Sequence, residues 1–347
     1  MKALALNIAA LLMQIPAAHS MPQEHSRPLT SWAEQLSYDI PVRLLQMPVP
    51  FEMEYNSEVK RQLTDYLRQG RRDTERMLGR ASMYFPIFEH YRQKYNLPEV
   101  LKYIPLLESR LTPTVQSEAG AVGLWQFMPA TAEHYRLRID EYVDERMNPY
   151  RATEAAMKML VQLHEEFGDW SLALAAYNCG PGRVRYAIRR TGCDDFWSIQ
   201  HLLPRQTRRY LPALIATTYV ARYYSLHGLL PKPKKHFHQP FQVFRIQYAL
   251  DLNDIAHQCK ISRQLLSQLN PGFLKDYIPY STRGRYLILP EEALLKFQQY
   301  IIKESRKSTH SYAVAVLDSH QRPPILKNLH TYSMDKGKTG GRLQVEI

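Results

Sequence analysis

The chain has 347 residues, 45% of them hydrophobic, enough for a core that serves two domains or one domain with appendages. It carries 45 Lys and Arg against 33 Asp and Glu, a formal net charge of +12, with only three cysteines. Beyond the N-terminal leader no apolar run reaches about 18 residues, which leaves no candidate membrane span, and the absence of CxxC and HExxH spacing argues against a metal site.

The opening stretch MKALALNIAALLMQIPAAHS combines Lys2, an apolar run from Ala3 to Met13, the helix breaker Pro16 and small residues at Ala18 and Ser20. That is the pattern of a secretory signal peptide over residues 1–20, too short and wrongly flanked to span a bilayer. No cysteine lies near the expected cleavage point, so a lipid anchor is unsupported. The remaining chain is expected to be soluble and exported to the periplasm or cell envelope, with peripheral outer-membrane association allowed. In that compartment Cys179, Cys193 and Cys259 are an odd set. Spacing permits a Cys179–Cys193 pair but equally permits free buried thiols.

Residues 21–56 are Pro-rich and read as an extended lead-in. A helix is expected from Ser57, read as its N-cap, with Val59, Leu63, Tyr66 and Leu67 on one face. Further helices follow over Met77 to Tyr95 and from Pro98 to Glu108, the last one restarted or kinked by Pro105. Asn148 and Pro149 open the clearest helix, whose stripe is Ala152, Ala156, Met159, Leu160, Leu163 and Phe167, and Gly168 closes it. Asp169 caps the next helix, which Gly180-Pro181-Gly182 stops. A short basic helix ends at Gly192, and a long one starts at Pro204 and meets Pro212. No convincing period-2 run lies between 57 and 230, so this domain is expected to be all-α or nearly so.

A Pro/Lys linker, residues 231–240, separates it from a different pattern. There a strand, two short helices and a returning strand over 241–300 predict a small β-α-α-β unit. Residues 301–347 read as a polar tail without a core of its own. The charge is uneven: residues 231–347 hold 18 basic and 9 acidic side chains, so most of the net positive charge lies at the C-terminal end. An exported protein rarely meets nucleic acid, so an anionic envelope polymer fits that charge better.

The chemistry concentrates between Tyr103 and Tyr210. Glu108 follows Tyr103-Ile104-Pro105-Leu106-Leu107, and such neighbours raise a carboxyl pKa towards the range of a general acid. Ser117 and the stretch EAGAVG lead to Leu124-Trp125-Gln126-Phe127-Met128-Pro129. Glycines there allow close backbone approach, Gln126 offers both donor and acceptor, and Trp125 and Met128 offer apolar surface, a mixture suited to carbohydrate. Tyr177 and Asn178 stand at a helix end beside a glycine turn, and Tyr210 lies within TRRYLP. Each signal alone has a plain structural explanation; together they are ordered and specific.

The run E-S, then S-x-x-G-A-x-G-L-x-Q-x-M-P, then A-Y-N-x-G, then a late tyrosine, resembles the lytic transglycosylase family with the goose-type lysozyme fold. The stretches YVDERMNPYRAT and FGDWSLALAAYNCGPGRV resemble its membrane-bound lytic murein transglycosylase D group. The resemblance covers roughly residues 95–230. It implies a lysozyme-like helical catalytic domain over 57–230, acting on the glycan strands of peptidoglycan as a monomer and without a cofactor. By the same resemblance Glu108 is the sole catalytic acid and base, and Ser117, Gln126 and Met128 shape the muramic-acid subsite. Tyr177 and Asn178 flank the scissile bond, and Tyr210 steadies the reacting sugar. Trp125 departs from the family pattern, where methionine is common.

One carboxylate is too few for the usual two-acid glycosidase, and Glu118 in the turn reads as solvated. A single acid suffices if the substrate's own acetamido group attacks, and the C6 hydroxyl then closes the ring to a 1,6-anhydromuramyl end. The alternatives are a hydrolytic muramidase, a non-catalytic wall-binding protein and, more remotely, a basic nucleic-acid binder. Over 252–290, Leu252, Ile255, Ala256, Ile261, Leu265, Leu269, Asn270 and Pro290 resemble positions of LysM repeats, which bind N-acetylglucosamine polymers. The usual Gly-Asp-Thr start is replaced by ALDLN, so the copy is degenerate, and a structural cap is the competing reading.

Overall fold

The computed structural model describes residues 31–232, 241–307 and 314–317. The expected leader, most of the linker and most of the C-terminal tail lie outside them. Over residues 32–45 the lead-in is helical, not extended: α1 (Trp32–Glu34), a π-helical turn over Gln35–Asp39 and α2 (Ile40–Leu45) follow one another, and 46–56 are without helix. A capping box starts them, the Glu34 amide donating to Ser31 Oγ at 3.3 Å while the Ser31 amide donates to Glu34 Oε2 at 2.6 Å. That S-x-x-E signal is present in the sequence and outweighs the surrounding prolines.

The next helix, α3 (Ser57–Thr64), is capped by Asn56 and not by Ser57: the Asn56 side chain accepts from the amides of Glu58 and Val59 at 3.1 Å. Its expected face holds, with Val59, Leu63, Tyr66 and Leu67 all buried. A π-helical turn leads into α4 (Arg71–Lys94), which begins well before the expected Met77. A 3-10 turn over Glu99–Tyr103 then gives way to α5 (Ile104–Ser109), with Pro105 at its start, so the proline restarts the helix. After a loop and α6 (Pro129–His134), Asn148 caps α7 (Pro149–Phe167), accepting from Tyr150 N at 3.1 Å and Arg151 N at 3.0 Å. Met157, rather than Met159, is the fully buried methionine on its inner face.

Helix α8 (Trp170–Cys179) is buried continuously from Trp170 to Ala176, as a helix that is apolar all round must be. It packs against α7, α9 (Pro181–Thr191) and α11 (Arg205–Tyr223), with the short α10 (Phe196–Ile199) between the last two in sequence. Helix α11 also lies along α3, and Tyr66 in the π-helical turn after α3 shares a buried 3.0 Å hydrogen bond with Thr217, hydroxyl to hydroxyl. Period-2 pairing in this part is confined to isolated bridges, among them Gln116–Val122 and Val122–Phe127.

The C-terminal unit has β1 (Phe241–Ile246), β2 (Leu250–Asp251), α12 (Leu252–Cys259), α13 (Arg263–Leu269), β3 (Tyr277–Ile278) and β4 (Arg285–Pro290). The expected β-α-α-β skeleton is there, with β1 and β4 antiparallel in the register Phe241–Pro290 to Ile246–Arg285. Two elements reach into what reads in sequence as a polar tail. Helix α14 (Leu294–Lys307) packs Phe297, Tyr300 and Ile301 into the unit's core, and β5 (Val314–Leu317) pairs antiparallel with β1. The apolar residues of α14 recur at helical spacing among charges, so average polarity conceals an amphipathic helix. In place of Gly-Asp-Thr, Asp251 caps α12, accepting from Asn253 N at 2.6 Å and Asp254 N at 3.2 Å. Among the described residues no helix is long and apolar enough to cross a membrane. All three cysteines are free.

Candidate active site

A cleft of about 640 Å³ opens between α3, the end of α5, the loop after it, α8 and α11. Glu108, Ser117, Gln126, Asn178 and Tyr210 all line it, together with Arg61, Gln62, Leu107, Arg205, Gln206, Arg209 and Ala213. Five of the seven residues singled out from sequence therefore converge on one cavity from four separate elements.

Glu108 sits in the last turn of α5, where the four residues Tyr103 to Leu106 behind it are all buried. The helix stops just after it because Arg110 and Leu111 adopt left-handed backbone, φ 49° and 57°. Ser109 locks that end to the next loop, its hydroxyl donating to Leu124 O and Pro105 O at 3.0 Å. Desolvation pushes the Glu108 carboxyl up to about 7, partly opposed by the Tyr210 hydroxyl, which donates to Oε1 at 2.6 Å. Glu108 is the only acid among the cleft-lining residues, and Glu118 is exposed in the turn.

The loop from Ser117 to Phe127 is folded tightly on itself. The Ser117 amide donates to Ala121 O at 2.9 Å and Ser117 Oγ accepts from Ala121 N at 3.0 Å. Val122 and Phe127 exchange both backbone hydrogen bonds at 3.1 Å. Gln126 stands in left-handed backbone, φ 51°, and its Nε2 donates to Gly123 O at 2.9 Å and Val115 O at 3.3 Å. A non-glycine residue held there costs on the order of 1–2 kcal/mol, so the surrounding bonds fix it. Gly123 combines φ 92° with a position where any Cβ would stand 2.0 Å from the Arg146 carbonyl oxygen; only glycine fits.

Three of the residues expected at the site take other positions. Trp125 does not offer a face to ligand: it is 1% exposed, packs edge-on against Phe88, and its indole N–H donates to Thr153 Oγ1 at 2.9 Å. A tryptophan in a glycine loop reads as surface in the sequence, but here it anchors the loop in the core. Met128 is 40% exposed at the start of α6 and is not among the lining residues. Tyr177 is close enough that the Glu108 charge helps burial to hold its phenol well above the ordinary value. Its hydroxyl, however, donates to Trp125 O at 2.7 Å. Asn178 accepts from the Thr207 hydroxyl at 2.9 Å through Oδ1, which leaves its amide nitrogen free of partners among the described residues.

The basic side of the cleft is not legible in the sequence as part of the site. Arg61 pairs with Glu58 and, at 3.3 Å, with Asp65; Arg209 approaches Glu58 Oε2 at 3.7 Å; Arg205 has no ion-pair partner among the described residues. The i,i+4 spacing of Arg205 and Arg209 directly before Tyr210 is a usable signal, whereas Arg61, on a distant helix, gives none. Among the described residues no three His, Cys, Asp or Glu side chains group as metal ligands.

Family models match this chain twice: a transglycosylase SLT domain over residues 85–200, and the LysM-like domain of lytic transglycosylase MltD over residues 241–301. The chain carries an SLT domain followed by an MltD-type LysM-like domain. Glu108, Ser117, Gln126, Tyr177 and Asn178 fall inside the SLT match, while Tyr210 lies beyond it in α11. Membrane-bound lytic murein transglycosylase D of Escherichia coli K12 is 29% identical over 301 residues, 85% of this chain and 63% of that protein. The chain thus spans under two thirds of that relative's length. Soluble lytic murein transglycosylase of the same strain is 30% identical over 149 residues, 41% of this chain and 23% of that protein. The crystal structure of the 70 kDa soluble lytic transglycosylase from Escherichia coli shares 29% identity over 41% of this chain and 24% of its own, with a TM-score of 0.36.

Proposed function

We propose that this protein is a peptidoglycan lytic transglycosylase that cleaves the MurNAc–GlcNAc β-1,4 bond without water. The observation that carries the reading is Glu108, the lone carboxyl among the cleft-lining residues, with a pKa raised to about 7 and Oε1 held by Tyr210. A carboxyl titrating near 7 is suited to give a proton and take one back at neutral pH.

In the first step protonated Glu108 gives its proton to the glycosidic oxygen, and the C1–O4 bond breaks. The acetamido oxygen of the same muramic acid attacks C1 and forms an oxazolinium-like species. Glu108, now a carboxylate, removes the C6 hydroxyl proton, and O6 displaces the acetamido oxygen at C1. The products are a 1,6-anhydromuramyl end and a free GlcNAc 4-hydroxyl; Glu108 ends protonated. Gln126 and the free amide of Asn178 supply hydrogen bonds for the sugar. The Tyr177–Trp125 and Tyr210–Glu108 bonds hold the walls between which charge develops. The three cleft arginines suit the carboxylates carried by peptidoglycan stem peptides.

We assign the catalytic domain to 57–230 and a glycan-binding role to the LysM-like unit over 241–300, with export to the periplasm through the N-terminal leader. The deciding experiment is mass spectrometry of sacculi digested by the purified protein. Anhydro ends, lighter by one water than reducing ends, support the proposal. Reducing ends alone make the enzyme a muramidase, and intact sacculi make it a binding protein.

A further inference from the structure

The LysM-like unit docks onto the SLT domain through the segment that supports the cleft loop. The seam begins in the unit itself. Asn270, buried, donates through Nδ2 to Ile288 O at 2.7 Å and accepts at Oδ1 from Ile288 N at 2.7 Å, so the loop after α13 is stapled to β4. That loop pairs with the turn before α7: Asp144 N donates to Gly272 O at 2.9 Å, Leu274 N donates to Tyr142 O at 2.8 Å, and Val143 and Phe273 form an antiparallel bridge. Beside it, Arg285 of β4 donates through Nη1 to Glu145 Oε1 at 2.8 Å, with both side chains under 10% exposed. Glu145 Oε2 in turn accepts from the Arg138 amide at 2.9 Å.

The far side of this turn reaches the cleft. The Asp144 carboxylate grips Arg146, at 3.0 Å to Nε and 2.7 Å to Nη2. Arg146 Nη1 then donates to Gly120 O at 3.1 Å and Phe127 O at 3.3 Å, on either side of Gln126 in its loop. Gly123 is pressed against the Arg146 carbonyl. A continuous set of buried, paired groups therefore runs from β4 to the loop.

We propose that the LysM-like unit braces the substrate loop of the SLT domain, with Arg285 and Glu145 as positioning residues that act through Asp144 and Arg146. Removing Arg285 leaves the buried Glu145 carboxylate with only the Arg138 amide and Arg151, the latter at 3.6 Å, and removing the Glu145 charge leaves buried Arg285 without its ion pair; in either case the turn relaxes to hydrate the remaining charge. Arg146 then holds the loop less firmly. Gln126, kept in left-handed backbone only by its surroundings, loses its preorganised place, and substrate binding weakens before proton transfer does. The binding part of this inference rests on the proposed function of the cleft; the mechanical part does not.

The test uses the full chain with Arg285→Met, Glu145→Gln and Arg285→Lys. Amide hydrogen exchange at Val122 and Phe127 is expected to quicken at least tenfold in Arg285→Met, while amides of α8 keep their wild-type rates. On soluble glycan strands KM should rise about five- to tenfold with kcat changed less than twofold, and Arg285→Lys should restore most of both. Glu145→Gln, which keeps the shape of the seam, gives the same readout should Arg285→Met fail to fold. Loop exchange unchanged in folded Arg285→Met or Glu145→Gln overturns the brace, as does a uniform acceleration across α8. A wild-type chain that cleaves no glycan, but whose loop loosens in the variants, overturns the functional reading and leaves the brace standing.

Discussion

Glu108→Gln is expected to do two things at once: remove nearly all glycan cleavage and make the folded protein more stable at alkaline pH. The second effect follows from linkage. The Glu108 carboxyl sits near 4.5 when solvated and at about 7 in the fold, with burial as the larger cause and the Tyr210 bond opposing it. A group that binds its proton more tightly when folded leaves stability unaffected below about pH 4.5 and subtracts from it as the pH rises towards 7, beyond which the penalty is constant. At 1.36 kcal/mol per unit, the full penalty is on the order of 3 kcal/mol, trimmed to roughly 2–3 because the group lines an open cleft. Gln cannot ionise and escapes it. Urea denaturation of both proteins from pH 4.5 to 8.5 should give a stability difference near zero at the acid end, rising to roughly 2–3 kcal/mol above pH 7 in favour of the variant. A difference that stays flat across that range means that Glu108 is solvated in the folded protein, and the one-acid chemistry loses its basis.

Tyr210→Phe removes the bond that lowers the Glu108 pKa, so the alkaline limb of the pH–rate profile should move above 7 by about one unit, with kcat down roughly tenfold; an unmoved limb refutes the pairing. Gly123→Ala places a methyl at 2.0 Å from a carbonyl oxygen in backbone that L-residues avoid, and should cost at least about 3 kcal/mol by thermal or urea unfolding. Arg205→Glu should raise KM about fivefold, worth ~1 kcal/mol, on peptide-bearing strands but not on peptide-free glycan, as measured by product release. Raising salt from 0.05 to 0.5 M, a range of roughly three in Debye length, should release the protein from sacculi in a pelleting assay while turnover on soluble glycan changes little, as the charge excess of residues 231–347 requires.

What was legible in the sequence was mostly local. Caps and stops such as Asn148, Asp169, Gly168 and Gly192 fixed helix ends because each acts within four residues of itself. The order of acidic, amide and phenolic residues likewise marked the cleft, and five of the expected site residues do meet there. What escaped was decided by partners distant in the chain. Trp125 turned inward because Phe88 and Thr153 receive it, and Arg61 reached the cleft because α3 lies along α11. The helix α14 and the strand β5 were hidden for a different reason, since a polar average masks an amphipathic stripe and a four-residue edge strand carries almost no periodic signal.

The seam between the two domains belongs to the same class of hidden feature, and its composition explains why it exists. Asp144, Glu145, Arg146 and Arg285 are all buried, and buried ion pairs seldom stabilise a protein more than apolar side chains of equal volume would. Their advantage is direction. A leucine cluster tolerates sliding, but a carboxylate that must meet a guanidinium on one side and a backbone amide on the other has one position. The loop it supports carries backbone strain, with Gly120, Gly123 and Gln126 all in left-handed backbone within seven residues. Placing directional contacts behind a strained loop, and apolar burial behind α8, divides the work according to what each interaction does well: the core supplies stability, and the charged seam supplies register.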